Sequence, residues 1–247
     1  MKNAPYAMFF TPVPDDEKLL SARVTNDGSR TLYSSAYGQT FHSDKGALTE
    51  AKHVFLAASG ALKRLSRQRK TSILEVGFGT GLNFFVTADA ALKHAAELHY
   101  TAFERDLLSE KNLKSLGYAA YLRHPELLEA YLSFRSGLPG KPLPGIYAFT
   151  FSSVGLELCL GEATEQVLEE ESYDAVYQDA FSPDSNPELW TPEFLARLSA
   201  ALVPGGALVT YSVKGAVRRT LSSASLEVGK LPGPEGGKRE MLLAKKL

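Results

Sequence analysis

The chain has 247 residues, of which 44% are hydrophobic and 22% are charged, a composition typical of a globular protein with a sizeable core. Its 27 Lys and Arg residues nearly balance its 28 Asp and Glu residues, so the net charge of −1 does not by itself indicate a nucleic-acid-binding protein. The single cysteine, Cys159, excludes an internal disulfide framework and a cysteine metal cluster, and its apolar neighbours predict a buried thiol. No signal-peptide pattern and no apolar run of about 18 residues is present, so we expect a cytoplasmic protein without a membrane association.

The first part of the chain predicts a small β-structure followed by a helix. Residues 1–20 are rich in proline and are predicted to be irregular. Residues 23–43 alternate β-prone segments with turns, of which Asn26-Asp27-Gly28 is the strongest, and they predict an antiparallel meander. Residues 45–65 repeat apolar side chains every three or four positions, which predicts a helix with one apolar face.

A glycine-rich turn between a predicted strand and a predicted helix follows. The apolar residues Ile73, Leu74 and Val76 lead into Gly77, Gly79 and Gly81, and a helix is predicted from residue 82 to about residue 96. Glycines at such a turn let the backbone come close to a ligand. A dinucleotide-binding fingerprint has the spacing G-x-G-x-x-G, whereas the third glycine here arrives one residue early. This spacing argues against a nicotinamide-dependent oxidoreductase.

Two acidic residues follow later strands and are expected to reach the same crevice as the turn. Glu104 closes the second predicted strand about 20 residues beyond the glycines, a position that suits an acceptor for ribose hydroxyls. The alternative is a solvated glutamate paired with Arg105. Asp179 follows the fourth core strand, at residues 173–177, and ligands of open α/β sheets bind at the carboxyl ends of strands.

The remaining segments continue the alternation of helices and strands. Residues 109–135 are helical in character, with breaks at Gly117 and Pro125. Because strands alternate with helices, we predict an α/β fold with a mostly parallel, doubly wound sheet. The chain is expected to form one domain, with residues 1–44 as an extension and residues 45–247 as the core. The other predicted elements are a hairpin at 146–160, a helix at 163–170, a helix from 191, a strand at 207–211, a helix from 214 and an antiparallel pair at 226–231 and 241–244.

The motif around the turn resembles a known family. Glu75 precedes the first glycine by two positions, and E-x-G-x-G-x-G is similar to motif I of the class I S-adenosylmethionine-dependent methyltransferases. The chain further resembles the MnmC-like methyltransferases over nearly its whole length from about Thr31. The most specific part of this resemblance is D-x-F-x-P followed by N-P-x-x-W, between Asp179 and Trp190. The other segments that carry it are residues 46–56, 74–84, 217–219 and 237–242.

The resemblance implies a fold, a cofactor and the residues that bind the cofactor. The fold would be the Rossmann-like fold of class I methyltransferases, with an antiparallel carboxyl-terminal strand. The methionine part of S-adenosylmethionine would lie against the turn, and an acidic residue after the third core strand would meet the adenine amino group. Glu162 stands there, although the family often has Asp; alternatively, it is a glutamate favoured by the dipole of the 163–170 helix. The implied cofactor-binding residues are Glu75, Gly77, Phe78, Gly79, Thr80, Gly81, Asn83, Glu104, Glu162 and Asp179.

The activity that the resemblance implies is methyl transfer to the aminomethyl nitrogen of a wobble 2-thiouridine in tRNA. The expected partner is then the anticodon stem-loop of tRNA. No second domain follows in the sequence, so no flavin is expected, and a preceding oxidase step would be absent or supplied by a separate FAD-dependent oxidase. No metal is expected.

An alkylamine must lose a proton before it can attack a methyl group, and a carboxylate can hold the ammonium and take up that proton. Asp179 is the candidate for this role; the alternative is that it only contacts the cofactor. Trp190 either stacks on a flipped base or packs in the core. The basic residues either bind phosphates or are ordinary solvated charges. The candidate substrate-binding residues are Phe181, Asn186, Pro187, Trp190, Arg218, Arg219, Lys238 and Arg239.

Two further functions remain open from the residues alone. A methyltransferase of the same fold could act on a small amine or on a protein. A protein with the same turn could also bind the cofactor without catalysing a reaction. Calorimetry with S-adenosylmethionine and with a dinucleotide, and the fate of a labelled methyl group, separate these possibilities.

Overall fold

The computed structural model describes residues 19–237 and 239–247, and the predicted irregular segment lies largely outside them. The first described element is a three-stranded antiparallel sheet, β1 (Leu20–Val24), β2 (Arg30–Ser34) and β3 (Gln39–Thr40). The predicted turn connects β1 to β2, and the left-handed φ of 81° at Gly28 explains why glycine is needed there. The predicted meander is confirmed.

The predicted helix at residues 45–65 is interrupted. It begins as α1 (Ala47–Glu50), widens into a π-helical segment (Ala51–Ala57) and resumes as α2 (Ala61–Leu65). Gly60, with a φ of 86°, separates the last two pieces. The His53 side chain meets the Pro232 carbonyl oxygen at 3.0 Å, so the widened segment contacts the far end of the chain. The apolar periodicity is only partly confirmed: Ala51 and Phe55 are buried, whereas Leu62 is 37% exposed. A regular period could not show the inserted residue of a π-helix.

The main sheet has eight strands in the order β10-β11-β9-β8-β4-β5-β7-β6. The five central strands are parallel, whereas β6 at one edge and β11 and β10 at the other are antiparallel. The mostly parallel sheet with an antiparallel carboxyl-terminal end is confirmed, and β6 adds an antiparallel strand at the opposite edge. The strands are β4 (Thr71–Val76), β5 (Leu98–Glu104), β6 (Gly145–Phe151), β7 (Val154–Leu160), β8 (Tyr173–Gln178), β9 (Leu202–Thr210), β10 (Leu226–Pro232) and β11 (Glu240–Lys246).

Helices cover both faces of the sheet. On one face α3 packs with the π-helical segment and α5 around the buried rings of Phe84, Tyr100 and Tyr131. On the other face α6 and α7 cover an aliphatic layer. Burying each large apolar side chain contributes about 1.5–3 kcal/mol, so these two layers hold the strand ends in fixed positions. The helices are α3 (Leu82–Lys93), α4 (Glu110–Ser115), α5 (Pro125–Ser136), α6 (Pro192–Ala201) and α7 (Gly215–Ser223).

The prediction of a helix at residues 163–170 is wrong. Only a 3₁₀ turn, Ala163–Glu165, forms there, and the chain then continues without a helix or strand to β8. Val167 is 88% exposed, so the segment lacks the apolar face that stabilises a surface helix. Cys159 is buried, as expected. Among the described residues, no helix has the length and apolar character needed to cross a bilayer.

Candidate active site

A cavity of about 470 Å³ opens at the carboxyl ends of the central strands, and the glycine turn forms its floor. Gly77 has a φ of 88°, and a Cβ there would lie 3.0 Å from the Asp179 carbonyl oxygen. A Cβ on Gly79 would lie 2.9 Å from the Phe41 ring, and one on Gly81 would lie 2.9 Å from the Phe78 ring. Side chains at these positions would therefore fill the space between the turn and the elements above and below it. The volume suits a small-molecule cofactor.

Glu104 lies in the wall of this cavity and organises the turn. Its Oε2 accepts a hydrogen bond from the Gly79 backbone N–H at 2.7 Å, and its Oε1 accepts from the N–H groups of Arg105 and Asp106. Burial raises the pKa of Glu104, while these N–H bonds favour its charged form. The Arg105 guanidinium pairs with Asp106 rather than with Glu104, so the ion pair considered from the sequence does not form. Lone pairs remain for ribose hydroxyls, and ribose binding stays a prediction.

Glu162 follows the end of β7 and also borders the cavity. Its side chain is 51% exposed and lies 3.9 Å from the Arg105 guanidinium. Because only one 3₁₀ turn follows it, the helix dipole that would have explained a structural glutamate is absent. Adenine recognition by Glu162 remains a prediction.

Phe78 and Thr80 border the cavity but point their side chains into the core. Phe78 packs against Phe84 and Tyr131, and the Thr80 hydroxyl accepts a hydrogen bond from Tyr118 at 2.7 Å. Both residues are at most 3% exposed. We therefore expect their backbone, rather than their side chains, to meet the cofactor.

Glu75 and Asn83 lie behind the turn and do not border the cavity. The Asn83 Nδ2 donates to Glu75 Oε1 and to Asp179 Oδ2, each at 2.8 Å. The Tyr100 hydroxyl donates to Glu75 Oε2 at 2.9 Å. Burial raises the pKa of Glu75 from 4.5 to about 8. The predicted direct contacts of Glu75 and Asn83 with the cofactor are therefore corrected: these side chains face inward and support the turn.

Asp179 stands where the sequence placed it, beside the glycine turn. Its backbone N–H bonds to the Val76 carbonyl oxygen at 3.1 Å, which joins the ends of β8 and β4. Its carboxylate is held by Asn83 and borders the cavity. The structure thus brings a carboxylate from the fourth core strand to the site of the turn.

The second wall of the cavity comes from the amino-terminal sheet, which sequence reasoning missed. Tyr37 stacks on Phe181 with ring centroids 4.3 Å apart, and Phe41 meets the same ring edge-on at 5.2 Å. The Gln39 amide donates to the hydroxyls of Ser182 and Ser185. The predicted meander covers this segment, but local patterns could not reveal its contacts, because its partners lie more than a hundred residues away.

Sequence reasoning also missed two further residues that line the cavity, Glu50 and Tyr211. Glu50, on α1, is 7% exposed, borders the cavity and accepts a hydrogen bond from the Ser43 N–H at 2.8 Å. The Tyr211 hydroxyl donates to the Ala180 carbonyl oxygen, and burial together with the charges of Asp179 and Glu50 raises the pKa of Tyr211. Glu50 therefore joins Glu104, Glu162 and Asp179 among the acidic residues that line the cavity.

The loop after Asp179 contains residues with different roles. Asn186 borders the cavity and donates to Glu188 at 3.1 Å, whereas Pro187 is exposed at the start of a 3₁₀ turn, Pro187–Trp190. Trp190 is 6% exposed, packs in the core beside α6 and donates its indole N–H to the Phe181 carbonyl oxygen at 2.9 Å. The suggestion that Trp190 stacks on a base is therefore wrong, and the packing alternative is correct.

Those predicted basic residues that the structure describes are solvent-exposed. Arg218 and Arg219 lie on α7, and Arg239 precedes β11; Lys238 lies outside the described residues. Because β11 runs antiparallel to β9, its start lies at the carboxyl edge of the sheet, where α7 also begins. These positions share an edge with the cavity. In the described ranges, no group of three or more His, Cys, Asp or Glu side chains is arranged to hold a metal ion.

Comparison with known proteins defines the class. Residues 134–247 match a family described as S-adenosyl-L-methionine-dependent methyltransferase. The structure of spermidine synthase from Thermotoga maritima has a TM-score of 0.54 at 17% identity, over 92% of this chain and 69% of that one, which shows the fold alone. The fold and the turn agree with this match, so the chain is similar to methyltransferases that use S-adenosyl-L-methionine.

More similar relatives narrow the family. The chain is 37% identical, over 88% of its length, to the tRNA 5-methylaminomethyl-2-thiouridine biosynthesis bifunctional protein MnmC of Aromatoleum aromaticum, and 32% identical over 92% to that of Aeromonas salmonicida. It spans about a third of these relatives, 34% and 35% of their lengths. The crystal structure of MNMC2 from Aquifex aeolicus has a TM-score of 0.73 at 29% identity, covering 91% of this chain and 70% of that one. Over most of its length, the chain is therefore similar to the MnmC-like methyltransferases.

Proposed function

We propose that the protein transfers a methyl group from S-adenosyl-L-methionine to the aminomethyl nitrogen of 5-aminomethyl-2-thiouridine in tRNA. The observation that carries the proposal is the Asp179 carboxylate, held at the cavity wall beside the turn expected to bind the methyl donor. Relatives named for the biosynthesis of 5-methylaminomethyl-2-thiouridine support this acceptor. A separate FAD-dependent oxidase enters only as the enzyme that would supply the aminomethyl group.

Methyl transfer requires an amine that is correctly positioned and a group that accepts the amine's proton. The amine lone pair attacks the methyl carbon, an N–C bond forms, the C–S bond breaks and S-adenosylhomocysteine leaves with the bonding electrons. Before the attack, the ammonium gives up one proton to Asp179, which can pass it to solvent. Alignment of donor and acceptor can supply up to about 7–11 kcal/mol of the barrier reduction, and the protein's part is to hold both groups.

The aromatic pair of Tyr37 and Phe181 suits the base that carries the amine. Both rings border the cavity close to the chain segment that begins with Asp179. Stacking on aromatic side chains is the usual way in which proteins hold an unpaired base. Phe181, Asn186 and Pro187 therefore remain proposed substrate residues, and Tyr37 joins them.

The Arg218→Ala, Arg219→Ala double variant is expected to bind tRNA more weakly and with a lower salt dependence. Each lost phosphate contact should reduce the slope of log K against log salt by about 1. The measurement is tRNA affinity between low and moderate salt. Arg67→Ala, Arg69→Ala is the matched control, because these exposed arginines precede β4 at the opposite edge of the sheet. Equal slopes for both double variants would show that Arg218 and Arg219 are ordinary solvated charges.

The function itself is tested with methyl-labelled S-adenosyl-L-methionine and tRNA that carries 5-aminomethyl-2-thiouridine. The expected result is label in 5-methylaminomethyl-2-thiouridine after digestion to nucleosides. Unmodified tRNA should remain unlabelled. Cofactor binding with no label in RNA contradicts the proposal and favours a binding protein, whereas label in a small amine or a protein favours a methyltransferase with another acceptor.

A further inference from the structure

One buried side chain connects three elements at the site. Asn83 is the second residue of α3, directly behind the glycine turn, and it is 2% exposed. Its Nδ2 reaches Glu75 Oε1 at the end of β4 and Asp179 Oδ2 beyond the end of β8. Both N···O distances are 2.8 Å, which is within the range of well-formed N–H···O hydrogen bonds. The Asn83 amide group therefore links the Asp179 carboxylate to the Glu75 carboxyl group beside the turn.

We propose that Asn83 is a positioning residue for methyl transfer, which holds the Asp179 carboxylate in the direction of the methyl acceptor, with Glu75 anchoring the amide from behind. The proposal rests on the proposed function of Asp179. It replaces the cofactor contact predicted for Asn83 from the sequence, because the Asn83 side chain does not border the cavity.

The residue type fits this role. An amide nitrogen carries two N–H donors, so it can serve two carboxyl groups at once, whereas a carboxylate at position 83 would offer only acceptors to two other acids. A serine would offer a single donor on a shorter side chain, and a leucine would offer none. Burial raises the pKa of Glu75 to about 8, so the charged form of this anchor is disfavoured near neutral pH.

The anchor behind Asn83 is itself fixed. Glu75 also accepts from the Tyr100 hydroxyl at 2.9 Å, and the Tyr100 ring packs against the rings of Phe84 and Tyr177. Tyr100, Phe84 and Tyr177 are at most 1% exposed. Rotation of the Asn83 amide would thus break bonds inside a packed core, where lost hydrogen bonds are costly.

The test is the series Asn83→Ser and Asn83→Leu, with Asn112→Leu on α4 as the control. We expect kcat for tRNA methylation to fall about tenfold or more in Asn83→Leu and by less in Asn83→Ser. The Kd for S-adenosyl-L-methionine should stay within about twofold, because the Asn83 side chain does not border the cavity. The partial activity of the serine variant separates loss of a donor from a general loss of packing.

Crystal structures of the wild type and of both variants provide a readout that needs no acceptor. In Asn83→Leu the Asp179 side chain should leave its wild-type rotamer. In Asn83→Ser, which keeps one hydrogen-bond donor, the Asp179 side chain should leave that rotamer only in part. An unchanged Asp179 rotamer, an unchanged kcat or a large loss of cofactor affinity each overturns the proposal. If the wild type itself fails to methylate tRNA, the proposed function fails, while the rotamer comparison still decides the role of Asn83.

Discussion

Replacing Asp179 with asparagine should lower kcat for methyl transfer by roughly 10²- to 10⁴-fold, the range usual for a group that handles a proton in the reaction. The amide keeps an oxygen that can accept from Asn83, so the local structure should survive. It loses the negative charge that holds the ammonium and the basic oxygen that takes its proton. Steady-state kinetics with modified tRNA, together with calorimetry of S-adenosyl-L-methionine binding, measure the effect.

The same variant distinguishes the two roles considered for Asp179. If the carboxylate only contacts the cofactor, Asp179→Asn will weaken cofactor binding and keep its turnover at saturating cofactor. Asp184→Asn is a matched control, since Asp184 follows in the same loop but is exposed and paired with Lys214. Near-normal turnover of Asp179→Asn with normal cofactor affinity would falsify the proton-accepting role.

As the pH rises, the Glu75→Gln variant should become more stable relative to the wild-type protein. The folded state holds the Glu75 proton more tightly than the unfolded chain, with a pKa of about 8 against an ordinary 4.5. The contribution of Glu75 to the free energy of unfolding is therefore fully present below about pH 4.5 and is lost as the pH rises to about 8. A tenfold difference in proton affinity corresponds to about 1.4 kcal/mol, so the loss is on the order of a few kcal/mol.

A glutamine at position 75 provides one donor and one acceptor, as a protonated carboxyl group does, but it does not titrate. The difference in unfolding free energy, variant minus wild type, should therefore grow between about pH 5 and pH 8 and level off above that range. Denaturant unfolding at a series of pH values measures it. Glu129→Gln, at an exposed position on α5, is the control. A difference that is flat or that shrinks with pH means that Glu75 is ionised in the folded protein.

Local patterns predicted the part of the site that lies on one short stretch of chain. The strand, the three glycines and the following helix have a distinctive spacing, because the backbone there must take left-handed conformations and leave room for a ligand. The rule that parallel strands present their carboxyl ends at one edge then placed Glu104 and Asp179 beside the turn. The resemblance identified Asp179 to Trp190 as the specific segment.

The direction of a side chain and the contacts between distant segments could not be predicted in this way. Glu75 and Asn83 stand at motif positions that suggest ligand contacts, but both side chains point into the core. Glu75 accepts a hydrogen bond from Tyr100 on the neighbouring strand, and Asn83 donates to Glu75. The sequence alone allows Trp190 to stack on a base, and only its burial against α6 excludes this interpretation. The wall formed by Tyr37 and Phe41 depends on a ring that is 140 or more positions later, which no periodicity within a segment can reveal.

The docking of the amino-terminal sheet onto the loop after Asp179 has a consequence for the order of events during protein synthesis. Gln39 and Ser182, which join these two walls, are separated by 143 positions. At about 5–20 residues per second, the ribosome delivers Ser182 roughly 7 to 30 seconds after Gln39. The first sheet cannot dock onto the loop after Asp179 until the second half of the nascent chain has emerged, and Tyr37 and Phe41 stay exposed to water until then. The cavity is therefore completed late in translation, and released fragments that end before Phe181 should carry the glycine turn without a closed site.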